Sequence, residues 1–198
     1  MRRSIQFCLM TVALTIPAAA QAEWQAIEQV TPYAITGKSG AELYTSIGEN
    51  GPSAGIGRVI AHTTFKLTWT RKYEPQADRS CRLTVARPKL IITYTLPKPT
   101  TQLPPATKAS WDSFITGVET HERWHGETIK QMVKAIEAYS LGLTAADDPE
   151  CSKIRLVLTK RLGELSGYQR QRGRDFDKVE MGEGGNIKQL ILKLVNGP

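Results

Sequence analysis

Apolar positions change their period once along this chain, near its middle. From His62 to Trp69 (HTTFKLTW) they alternate, placing Thr63, Phe65, Leu67 and Trp69 on one face, the pattern of a half-buried strand. Val30–Ile35 (VTPYAI), Cys81–Val85 and Lys89–Leu96 (KLIITYTL) are further strand candidates, rich in β-branched residues. Pro88 between the last two suggests an edge or a bend. Ser39 is placed to cap a short helix from Gly40, and Glu49–Gly57 (ENGPSAGIG) reads as a loop. The strands together predict an antiparallel sheet of three or four strands.

After the Pro-rich connector at residues 96–105 (LPKPTTQLPP) the period becomes helical. Trp111, Ile115, Val118, Glu122, His125, Ile129, Met132, Ile136 and Tyr139 recur at steps of three and four. They form one stripe of a long amphipathic helix, which Gly142 would stop. A second helix is expected from Asp148-Pro149, with Pro149 in its first turn, to about Phe176. Ile154, Leu158, Leu162, Leu165 and Tyr168 form its stripe. The two make a helical hairpin, followed by a Gly-rich loop and a short apolar tail, IKQLILKLV. The fold class is α+β, a small antiparallel sheet packed against a long two-helix hairpin. No internal repeat is visible.

The amino terminus belongs to neither half. Arg2 and Arg3 precede an apolar run from Ile5 to about Ala20, and Ala20-Gln21-Ala22 is an A-x-A site. This is the pattern of a secretory signal peptide cleaved after Ala22; the run is short for a spanning helix. The expected organisation is a signal at 1–22 and one domain over 23–198. Its sheet-rich part is 23–100, its helical part 106–177 and its tail 178–198. The expected location is periplasmic or extracellular, without stable membrane insertion. Cleavage takes Arg2 and Arg3 from 26 Lys and Arg against 19 Asp and Glu, leaving +5. That excess is modest and dispersed, which argues against a nucleic-acid partner. Cys8 leaves with the signal, and the remaining pair, Cys81 and Cys151, reads as a disulfide in an exported chain.

Chemistry concentrates at THERWHGE, residues 120–127. Of three histidines, His62, His121 and His125, two stand four residues apart, with Glu122 after the first. The helical stripe runs through this segment. A carboxylate and two imidazoles thus interrupt an inward-facing apolar surface, where unpartnered polar groups are costly. Residues at i and i+4 share a helix face, so both imidazoles can reach one Zn²⁺. Glu122 lies about 100° around the helix from His121, placed for a general base. The spelling alone also occurs on helices that bind no metal.

Trp111-x-x-Phe114, then Val118-x-x-His121-Glu122-x-x-His125, resembles the DUF922 family of bacterial proteins, described as predicted secreted zinc-dependent proteases. The resemblance extends to Thr64–Trp69, Cys81-Arg82-Leu83 and Thr95-Leu96-Pro97, and covers most of the mature chain. It implies a periplasmic or extracellular metal-dependent peptidase acting on a peptide or protein substrate. One departure stands out. The family pattern implies an aromatic-Asp pair followed by Thr-x-His-Gly; here Phe176-Asp177 is followed by Lys178-Val179-Glu180-Met181-Gly182-Glu183, and the late histidine is absent. Glu180 or Glu183 is then the candidate third ligand, with Asp177 a further option and His62 a remote one. Trp124 can line a substrate cleft or pack against the sheet. The expected function is a secreted zinc metallopeptidase with His121 and His125 on the metal and Glu122 as base. The rivals are a non-catalytic envelope protein on a decayed peptidase scaffold, a metal binder without hydrolysis, and an amidase acting on cell-wall peptides.

Overall fold

The computed structural model describes residues 24–55 and 57–197; the expected signal peptide lies outside them. Along the chain come β1 (Ile27–Ile35), α1 (Gly40–Asn50), β2 (Ser53–Ala54), β3 (Gly57–Arg58), β4 (His62–Pro75) and β5 (Cys81–Pro99). Then follow α2 (Pro105–Ser140), β6 (Thr144–Ala145), α3 (Ser152–Glu180) and α4 (Asn186–Asn196). The protein is α+β, as its periodicities predict.

The sheet is mixed rather than wholly antiparallel. β4 and β5 form a long hairpin, but β1 pairs with the other side of β5 in parallel, Ile27 opposite Ile91 through Ile35 opposite Pro99. Alternation shows which face a residue takes, not which way its neighbour runs. The connection through α1 carries the chain from β1 across to β4. The two expected strands at 81–85 and 89–96 are one. Lys72 opposes Val85 and Tyr73 opposes Leu83, which leaves Thr84 as the extra residue of a β-bulge. The bulge switches the buried face from Cys81 and Leu83 to Ala86, Leu90, Ile92, Tyr94 and Leu96. The parallel ladder starts only at Ile91, so Pro88 sits where β5 still has an unpaired side, as a residue without N–H requires.

α2 lies on the inner sheet face. Trp111, Phe114, Val118, Ile129, Met132, Val133 and Ile136 join Leu90, Ile92, Tyr94 and Leu96 in the main core. A smaller cluster of Cys81, Leu83, Ala86, Cys151, Ile154 and Leu158 closes the other end. The Cys81–Cys151 disulfide forms within it, with Cα atoms 5.2 Å apart. Ser39 caps α1 with a full capping box to Glu42. The apolar tail is α4, which buries Ile187 and Leu194.

α3 begins at Ser152, not at Pro149. Asp148, 2 % exposed, closes its first turn from outside: Oδ1 accepts from the Ser152 and Lys153 N–H groups and Oδ2 from that of Ile154. Cys151 itself takes a left-handed conformation, φ 58°. The chain therefore turns over Asp148 before the helix can start, and Pro149 lies in that turn.

Candidate metal centre

The site forms where α2 and α3 face each other under the start of β4. Gly126 sets how closely α2 approaches the sheet. A Cβ there would stand 2.1 Å from the Tyr94 hydroxyl, and Tyr94 is itself buried. One turn earlier, Glu122 is buried and stands against Thr63 of β4. The Thr63 hydroxyl lies 2.5 Å from Glu122 Oε2 and 3.0 Å from its carbonyl oxygen, and its one proton suits the carboxylate. The other carboxylate oxygen makes no hydrogen bond among the described residues.

From α3 comes Asp177. His125 Nε2 lies 2.9 Å from Asp177 Oδ1, His121 Nε2 lies 3.2 Å from the same oxygen, and the two Nε2 atoms are 3.2 Å apart. These three ligand atoms form a candidate metal-binding triad. Burial opposes ionisation of Asp177, but hydrogen bonds and charge from His121 and His125 hold its carboxyl well below the usual range. Burial likewise opposes a charged His121, yet Asp177, with the charges of Glu122 and Glu180, raises its pKa.

The donor set fits a divalent metal. Two nitrogens and a carboxylate oxygen are zinc-type donors, and a tetrahedron of ligands about 2.1 Å from its centre has edges of about 3.4 Å. Asp177 Oδ1 can accept from both imidazoles, but the two N–H groups are then crowded together by the 3.2 Å between the Nε2 atoms, a crowding that an ion bound by the three atoms would remove. His121 Nδ1 is buried without a hydrogen bond, and Glu180 Oε2 stands 3.7 Å from it. A carboxylate behind a ligating histidine is the usual outer-shell partner. Glu180 thus stands at the back of the ring rather than in the triad, and Glu183 is exposed in the loop after α3. His62 lines the same cavity without joining the triad.

Sequence reasoning ranked Asp177 below the two glutamates and missed Thr63. The aromatic-Asp pair at Phe176-Asp177 was the available signal. Trp124 is not among the described residues that line the cavity: it stacks on Phe176 of α3 at 3.8 Å, and Phe176 stacks on His121 at 4.8 Å. The aromatic pair clamps the two helices beside the triad. In front of the triad lies a cavity of about 660 Å³, within the range of small-ligand sites. β4 residues His62, Thr63 and Phe65 line it, with His121, Glu122 and His125 of α2 and the inner face of α3.

The fold and site define an α+β protein with a buried carboxylate beside a metal-type His-His-Asp cluster. The family model described as "Bacterial protein of unknown function (DUF922)" matches residues 30–185, and the chain belongs to that family. No curated protein and no solved structure matches it. Among the described residues no helix is long and apolar enough to cross a membrane.

Proposed function

We propose that this protein is an exported zinc-dependent metallopeptidase. The observation that carries the reading is the convergence of His121 Nε2, His125 Nε2 and Asp177 Oδ1 in the wall of a cavity also lined by Glu122. His121, His125 and Asp177 would hold the ion. When bound, zinc supplies Lewis acidity, polarising a substrate carbonyl and making water more acidic. Thr63 holds one oxygen of Glu122 and leaves the other for proton transfer. Glu122 accepts a proton from water as the water oxygen bonds to the peptide carbonyl carbon. It passes that proton to the amine nitrogen as the C–N bond breaks. The cavity receives a short stretch of peptide. The disulfide supports an oxidising compartment, in keeping with cleavage of a signal after Ala22.

The test is Glu122→Gln in mature, zinc-loaded protein, assayed against an unfolded protein and a cell-wall peptide pool. Glutamine cannot accept the proton, so hydrolysis falls by about 10²–10⁴ while zinc content stays at the wild-type level. Loss of zinc in this variant would make Glu122 a ligand and overturn the mechanism. Zinc in the wild type without turnover of any substrate would favour a non-catalytic metal binder.

A further inference from the structure

Three arginines line the candidate catalytic cavity: Arg58 from β3 on one side, and Arg170 and Arg174 from α3 on the other. None forms an ion pair among the described residues. Arg58 donates to the Gly51 carbonyl oxygen, Arg174 to the Gln171 side chain, and Arg170 has no side-chain hydrogen bond there. Of the other α3 arginines one has an acidic partner and two have neutral ones. Arg161 pairs with Glu164, Arg155 lies over the Tyr73 ring, and Arg172 bonds Gln131 and faces Trp124. The cavity's own carboxylates do not neutralise the three, for Glu122 is directed to Thr63 and Asp177 to the histidines. Arg170 and Arg174 stand one helical turn apart, where like charges repel. The helix thus carries two like charges at the cavity, neither of them neutralised by a carboxylate among the described residues.

We infer that the cavity selects substrates carrying a carboxylate beside the scissile bond, from an acidic side chain or from the peptide's own C-terminus. The inference rests on the peptidase reading and adds a substrate class to it. A guanidinium takes a carboxylate through two parallel N–H···O bonds, and guanidinium groups on both sides of the cavity would fix an extended peptide in register.

The test measures binding to mature, zinc-loaded Glu122→Gln protein, so that no peptide is consumed. The probes are a labelled unstructured peptide rich in glutamate and the same peptide with glutamine, each with a free or an amidated C-terminus. The glutamate form should bind about tenfold tighter at low salt, with the advantage shrinking as salt rises. Arg170→Gln with Arg174→Gln, and separately Arg58→Gln, should bring the ratio towards one, whereas Arg161→Gln should leave it unchanged. Circular dichroism verifies that each variant is folded. A gain that follows only the free terminus assigns the carboxylate to the chain end and still supports the inference. Equal binding of both forms, a ratio indifferent to every arginine variant, or no binding of any probe overturns it. Wild-type turnover separates the two readings. Equal hydrolysis of both peptides sinks the selectivity and leaves the peptidase, while selective binding without hydrolysis sinks the peptidase and leaves the selectivity.

Discussion

Asp177 stands out at the scale of single residues, because it turns two histidines on one helix into a candidate three-point metal site. Its oxygen lies within 3.2 Å of both Nε2 atoms, whereas Glu180 approaches only the far nitrogen of His121. The two carboxylates should therefore separate by mutation. At the proposed zinc site Asp177→Asn keeps the shape but removes a ligand's charge, and should weaken zinc binding by on the order of 100-fold or more, beyond the loss expected for an outer-shell partner. Glu180→Gln should cost about 10–100-fold, the usual effect of losing an outer-shell partner. Glu183→Gln, at an exposed loop position, should change nothing. Competition with a chromogenic chelator measures all three. A larger loss for Glu180→Gln than for Asp177→Asn would exchange their roles.

Elements are placed by contacts that local sequence does not spell out. Gly126 permits α2 to lie against Tyr94, whose hydroxyl donates to Glu28. Gly126→Ala should gain helix propensity yet lose about 1–3 kcal/mol overall, since a buried ring must move; a urea midpoint at or above wild type would contradict this. Asp148 does the corresponding work for α3. Burial opposes its charge, but the N–H groups of Ile154, Lys153 and Ser152, with the Ser152 hydroxyl, outweigh it, and its pKa falls below the usual value. A depressed folded pKa gives stability that is present above the unfolded value and lost as pH falls through the folded one. Asp148→Asn should be clearly less stable than wild type near pH 7, and the gap should narrow as pH falls below about 4. Equal gaps at about pH 7 and pH 3 would remove the charge from the explanation. Much of this scale was readable in advance. The α2 stripe, the Ser39 cap, the β4 alternation and the α+β class follow from periodicity and capping chemistry. Asp177 was hard to place because the offset of α3 against α2 depends on a long turn. β1 beside β5 was unreadable because strand direction leaves no mark on alternation.

The whole molecule is held at two ends by different means. At one end the disulfide and Asp148 fix the start of α3, with Ile154 and Leu158 in the smaller core. At the other, α3 has its own attachments to α2: Gln169 bonds Thr128, Arg172 bonds Gln131, and Phe176 stacks on Trp124. From Cys151 to Asp177 the helix runs roughly 39 Å at 1.5 Å per residue, so the disulfide is remote from the metal-type cluster. It closes a separation of 70 residues, worth roughly 4 kcal/mol in the chain-entropy account. The paired variant Cys81→Ala/Cys151→Ala should therefore lose about that much stability in urea while binding the same amount of zinc wherever it remains folded. The site end keeps its own contacts, and the entropic gain of the crosslink lies in the unfolded chain. Zinc stoichiometry and far-UV circular dichroism on the same samples decide it. Native helix content with zinc lost would mean that the crosslink, rather than the contacts between α2 and α3, holds Asp177 in register with the two histidines.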